Sequence, residues 1–176
     1  MFVVIGEVLI DIVESGGTRS DAVGGGPLNV AVGLSRLDQP AALITQIGND
    51  DYAKLIAAHL AASDVELVAS PTSTGRTNTA VAHIDAQGVA SYSFDVEWTL
   101  PHQELPACDA MYVGSLGTTL EPGRNTVVDL VEQAWQRDVF VAFDPNLRAQ
   151  FLTDAAQTWS DLESLAERCN LVKLSS

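Results

Sequence analysis

Runs that are apolar at nearly every successive position constrain this chain more than any other feature. They occupy residues 2–5, 110–115 and 139–143, and a fourth, at 41–48, is apolar over most of its length. A strand with one wet face alternates polar and apolar residues, whereas a strand apolar on both faces has to be covered on both. Helical patterns lie between the runs. Residues 27–37 place Val30, Leu34 and Leu37 at helical spacing. A second helix, capped by Asp50, runs through Leu55, Ile56, Ala58 and Leu60. A third, after Pro122-Gly123, carries Val127, Leu130, Val131, Ala134 and Trp135. A fourth is expected over 154–168, ahead of one more strand at 170–174. Strands of this kind alternating with helices describe an α/β fold, a parallel sheet with helices on either side, in one domain of 176 residues. Ligands of such sheets lie beyond the carboxyl ends of the strands.

Two stretches break this rhythm. Residues 8–23 read as a hairpin turned at Gly16-Gly17, and residues 77–95 as a second one turned at Gln87-Gly88, with Ala90, Tyr92 and Phe94 on one face. An inserted hairpin either covers a site or extends a sheet edge with its aromatics as core, and local sequence leaves both readings open.

Between the first hairpin and the first helix the chain reads Val23-Gly24-Gly25-Gly26-Pro27-Leu28-Asn29-Val30. Gly25 and Gly26 have no side chain to fend off a ligand, Pro27 suits a first helical turn, and Asn29 falls where free N–H groups face the loop. A plain strand-to-helix connector would look the same in isolation. Asp11 interrupts an apolar strand, so it is solvent-facing, paired or used to grip a ligand, because burial without a partner is costly. Asp11, the glycine loop, Gly114-Ser115, residues 144–148 with Asn146 and Arg148, and Lys173 all follow strands, which puts them on one rim. A dinucleotide loop is disfavoured, since Gly-x-Gly-x-x-Gly is not met and the run follows a hairpin rather than the first sheet strand.

The net charge of −14 excludes a nucleic-acid partner, because phosphate backbones are bound by clustered Lys and Arg. It leaves Arg148 and Lys173 as isolated cations for local anion handling. Cys108 and Cys169 lie far apart with no Cys-x-x-Cys, so they read as small hydrophobes with neither disulfide nor metal site. No run is long enough to span a bilayer and residues 1–5 lack a basic flank, so a cytoplasmic location without membrane contact is expected.

Taken in order, Gly6-Glu7-x-Leu9-x-Asp11, Gly24-Gly25-Gly26-Pro27-x-Asn29-Val30-Ala31, Ile47-Gly48-x-Asp50, Gly114-Ser115, Asp144-Pro145-Asn146-x-Arg148 and Val172-Lys173-Leu174-Ser175 resemble the ribokinase-type (phosphofructokinase B-type) carbohydrate kinases, most closely their fructokinase-like branch. The resemblance covers nearly the whole chain. It implies a ribokinase-like three-layer α/β/α sandwich with a small β-sheet lid made by the hairpins at about 8–23 and 77–95. It also implies MgATP-dependent phosphorylation of a sugar hydroxyl and a homodimer formed through the lids. By the same resemblance, Asp11 would hydrogen-bond sugar hydroxyls while Gly25, Gly26 and Asn29 line the sugar's other side. Phe94 would add apolar contact from the lid, Asn146 and Arg148 would neighbour the sugar and the transferred phosphoryl, and Lys173 would serve the nucleotide. A carboxylate and an amide read hydroxyls directionally, and a guanidinium stabilises phosphoryl oxygens as charge shifts.

Asp38, Ala53 and Asp64 stand where this family usually has glycine. The family's Gly-Ala-Gly-Asp motif, with its base and anion-hole amides, has no counterpart in the sequence. The expectation is therefore a single incomplete domain over 1–176, truncated on the carboxyl-terminal side, that holds sugar, binds no nucleotide tightly and is inactive alone. A non-catalytic carbohydrate-binding or regulatory module is the alternative. Fructose and 2-keto-3-deoxygluconate both suit Asp-Pro-Asn-x-Arg.

Overall fold

The pleat of the first strand sorts the core into two halves. In the computed structural model, which describes residues 1–85, 87–147, 151–152 and 154–174, β1 (Phe2–Ile5) lies inside a parallel sheet. Val3 and Ile5 join Met111, Val113 and Phe143 in the cluster packed by α3 (Gly123–Gln136) and α4 (Ala155–Ala166). Val4 joins Leu43 in a second cluster, with α1 (Gly26–Arg36) and α2 (Asp51–Ala61). Successive strand residues point to opposite faces, so a strand apolar at every position needs both helical layers.

The remaining strands of this sheet are β4 (Ala41–Ile47), β5 (Glu66–Pro71), β8 (Ala110–Gly114), β9 (Phe140–Asp144) and β10 (Leu171–Val172). Their order is β10-β9-β8-β1-β4-β5, and every pairing is parallel. The chain leaves β1 for β4 and β5 on one side, then returns to β8 and winds outward the other way. The reversal falls between β1 and β8, where an open α/β sheet parts at its carboxyl edge. A second sheet holds β2 (Leu9–Ser15), β3 (Thr18–Gly24), β6 (Thr79–Ile84) and β7 (Ala90–Asp95) in the order β3-β2-β6-β7. Its two antiparallel hairpins join through a parallel β2–β6 seam, so both inserted hairpins make one small sheet.

Helix entry sets which face is buried. Pro27 stands in the first turn of α1, and Leu28, Ala31 and Val32 pack on the sheet; Val30 and Leu34 sit at the margin, and the C-cap residue Leu37 is exposed. The stripe read from residues 30, 34 and 37 is thus rotated from the real one. In α2 the Asp50 carboxylate accepts from the Ala53 N–H at 2.9 Å, a side-chain cap. Ile56 and Leu60 are fully buried beneath it, each worth about 1.5–3 kcal/mol of transfer. Leu55, one residue off that face, is exposed, and so is Trp135 beside the buried stripe of α3. Asp38 and Asp64 take left-handed backbone at φ 57° and 51° after the ends of α1 and α2, while Ala53 is simply helical. β5 runs on through Pro71, which an edge strand tolerates. No described helix is long and apolar enough to cross a membrane.

Candidate functional site

A cavity of about 840 Å³ opens at the reversal point, between the carboxyl ends of β1 and β8 and the inner face of the small sheet. That size suits a small polar ligand with room for a second group. Three segments build its floor. Gly25 and Gly26 lead into α1, Glu7 follows β1, and Ser115 and Leu116 open a single 3-10 turn, Ser115–Thr118, after β8. Asn29, exposed in the first turn of α1, lines one side, and Asn146 and Leu147 after β9 line another.

The small sheet supplies the roof by register. Asp11 pairs with Ala80, and Ala80 pairs with Phe94, so the three stand in a row across β2, β6 and β7. All three line the cavity, joined by Leu9 and Tyr92 two residues along their strands. Tyr92 is exposed, and Phe94 is half-buried with its ring edge-to-face on Phe151 at 5.4 Å, so both line the cavity while Phe94 also packs on a neighbour. Asp11 lies across β3 over Gly24, where a Cβ would come within 2.1 Å of its Oδ2. Glycine at 24 is what lets that carboxylate lie flat at the mouth of the cavity.

Six of the eight residues singled out from sequence, Asp11, Gly25, Gly26, Asn29, Phe94 and Asn146, therefore converge on one cavity. Arg148 lies outside the described residues. Lys173 does not line the cavity; its Nζ lies 2.9 Å from Asp144 Oδ2 at the β9–β10 end of the sheet. Among the described residues no group of three or more His, Cys, Asp or Glu side chains is placed to hold a metal ion.

Sequence reasoning passed over Glu7. It is 2% exposed, and its Oε2 accepts from the Gly117 N–H at 3.0 Å. Burial pushes its carboxyl up to about 7, against the pull of hydrogen bonds from the Ser115 side chain and from the Glu7, Gly117 and Leu116 amides. Behind it, burial and then the charges of Asp144 and Glu7 push Tyr112 up to about 12. Glu7, like Asp11, is a carboxylate that breaks an apolar run, and that break is its signal in the sequence.

An α/β sheet whose switch point is roofed by a small β-sheet defines the architectural class, with one cavity between the two sheets. Comparison with known proteins narrows the class. The sequence model of the pfkB family carbohydrate kinases matches residues 1–175, and the chain belongs to that family. It is 30% identical over 181 residues to a fructokinase of Salmonella typhimurium and 28% identical to one of Klebsiella pneumoniae, covering 98% of this chain and 59% of each relative. The chain thus spans about three-fifths of the length of these relatives. Among solved structures, fructokinase from Halothermothrix orenii superposes with a TM-score of 0.82 at 19% identity, over 97% of this chain and 66% of that one. A double mutant of Vibrio cholerae fructokinase, solved with fructose, ADP and a potassium ion, gives 0.81 at 23% identity, over 98% and 59%. At such identities the structures establish the ribokinase-like fold alone.

Proposed function

We propose that this chain is the sugar-binding part of an ATP-dependent, fructokinase-like carbohydrate kinase, and that the cavity at the sheet reversal holds a ketose. The observation that carries this reading is the convergence of Asp11, Asn29 and Asn146, from three separate elements, on one cavity beneath an aromatic-bearing roof. Asp11 accepts from sugar hydroxyls, the two asparagines donate and accept at the ring's other edges, and Phe94 covers an apolar face. The small sheet acts as the lid that keeps water from the acceptor hydroxyl. Arg148 is assigned the transferring phosphoryl by its motif alone. The phosphoryl donor in the whole protein is MgATP, by likeness to relatives solved with ATP or with fructose and ADP.

Titration calorimetry with fructose tests this. We expect one saturable site, weakened about 10–100-fold in Asp11→Asn, the worth of a hydrogen bond to a charged group. The 176-residue chain alone should give no ATP-dependent phosphorylation. Absence of saturable ketose binding, or Asp11→Asn binding as tightly as wild type, refutes the reading.

A further inference from the structure

Glu7, Ser115 and Asn146 form a chain of polar groups from the buried floor of the cavity to its wall. The Glu7 carboxylate accepts from the Gly117 amide at 3.0 Å, which pins the 3-10 turn, and the Ser115 hydroxyl and Leu116 amide lie near enough to favour its ionised form. Ser115 Oγ in turn lies 3.5 Å from Asn146 Nδ2. Both relay residues hold left-handed backbone, Ser115 at φ 57° and Asn146 at φ 38°, a conformation that persists only where the surroundings over-determine it. We propose that Glu7 is a positioning residue: by accepting the Ser115 proton it leaves the Ser115 oxygen to receive Asn146 Nδ2, and so fixes the Asn146 amide at the cavity wall.

The chemistry makes the arrangement depend on protonation. An ionised carboxylate only accepts, so the Ser115 hydroxyl points inward and its lone pairs face Asn146. A protonated Glu7 carries an O–H of its own, which can donate to the Ser115 oxygen beside it. The Ser115 proton then turns outward, and Asn146 can keep a hydrogen bond to it only by presenting Oδ1 in place of Nδ2, which reverses the donor and acceptor that the amide shows to the cavity. The carboxyl titrates near neutrality, at about 7, so the switch falls within reach of ordinary buffers. The charged or titratable groups around it are Tyr112 on β8, Asp144 on β9 with Lys173 bonded to it, and Asp11 on β2 and Tyr92 on β7, which line the same cavity; among the described residues no histidine lines it. The consequence for affinity rests on the sugar-binding reading above. If only the ionised form is competent, fructose should bind about tenfold more weakly at pH 6 than at pH 8. Glu7 is already buried, so ligand closure adds little further desolvation to offset this.

Two measurements on the whole 176-residue chain separate this inference from that reading. Without sugar, the Asn146 side-chain amide and the Gly117 backbone amide should shift together in NMR spectra, with one midpoint near 7 as for Glu7. Glu7→Gln should flatten both, and Ser115→Ala should leave the Gly117 titration intact while flattening that of Asn146. An Asn146 amide that is flat in wild type, or titrates unchanged in Glu7→Gln, overturns the proposal. Calorimetry with fructose should show the tenfold pH dependence in wild type and none in Glu7→Gln; a dependence that survives the substitution assigns it to another group and also overturns the proposal. Coupled titration with no fructose binding at any pH upholds the positioning role and sinks the sugar-binding reading alone.

Discussion

Alanine at two glycines of the same loop-and-helix unit should move stability in opposite directions. Gly25 sits at φ 112° and ψ 130°, and a Cβ there would lie 2.8 Å from the Glu7 carbonyl oxygen and 3.0 Å from Val8 Cα. Both neighbours are backbone, so neither can swing aside. The backbone conformation costs a residue with a side chain about 1–3 kcal/mol, and forcing packed atoms apart about as much again, for roughly 2–6 kcal/mol in all. Gly33, inside α1, meets nothing within 4 Å of an added Cβ. There alanine removes unfolded-chain entropy and should stabilise by about 0.5–1 kcal/mol. For a chain of this length a kilocalorie shifts Tm by about 2–4 °C, so Gly33→Ala should gain roughly 1–4 °C and Gly25→Ala lose about 4 °C or more. Urea unfolding followed by circular dichroism gives the free energies directly. A Gly25→Ala protein within about 0.5 kcal/mol of wild type, the usual range of a harmless surface change, would refute the claim that this loop is packed against the Glu7 backbone.

Asp50 offers a second test, since its carboxylate caps α2 and also accepts from the Thr77 N–H at 2.9 Å and hydroxyl at 2.6 Å. Asp50→Ala should cost about 2–4 kcal/mol by urea unfolding, the sum of a lost cap and of hydrogen bonds to a charged group. Burial alone would raise this carboxyl, but the Thr77 and Ala53 hydrogen bonds outweigh it and hold it below the usual aspartate range. Its contribution is therefore present at neutral pH and lost as pH falls through the lowered value, so wild type should lose more stability than Asp50→Asn on acidification below about pH 4. Glu7 has the opposite sign, because its folded value is raised from 4.5 to about 7: its cost is fully present above that value and is relieved as pH falls. The stability of Glu7→Gln relative to wild type should accordingly be greater at pH 8 than at pH 5, by about 2–3 kcal/mol; equal differences at the two pH values would refute it.

The layered fold was legible because the strand signal did not depend on context. Residues 2–5, 110–113 and 139–143 are apolar on both faces, and only a doubly covered sheet accommodates that. Helix rotation was less legible, as Leu37, Leu55 and Trp135 show, because spacing alone cannot say which of two overlapping stripes the sheet selects. In α1 the glycine–proline entry makes that selection. The rim could be read from strand ends, which brought Gly25, Gly26, Asn29 and Asn146 to one cavity, while Asp11 lies within β2 in the roof. The pairing inside the roof could not be read. That the hairpins pair in parallel through β2 and β6, and so line up Asp11, Ala80 and Phe94, is a long-range pairing with no local mark in either segment. Glu7 does carry a local mark, the break in an apolar run, but its partners, Ser115 and Gly117, lie more than a hundred residues away, so the mark alone says nothing of where it sits.

Costs to stability gather at this cavity, and the groups that offset them lie elsewhere. Glu7 is a buried ionisable carboxyl, Ser115 and Asn146 are left-handed without being glycine, and a Cβ on Gly117 would lie 3.0 Å from Gly6 Cα. The capped start of α2, the fully buried Ile56 and Leu60 and the paired inner strands carry no such penalty. If the cavity were only a packing defect between two sheets, neutralising Glu7 would relieve it and change nothing else. If it is a binding site built around an ionised Glu7, the same substitution has to push two observables apart: at pH 8, Glu7→Gln should be the more stable protein and the weaker binder of fructose. A variant that merely misfolds lowers both, and one that relieves an idle defect raises stability with affinity unchanged. Only the opposed pair of changes fits a carboxylate kept at the floor for the sake of the ligand.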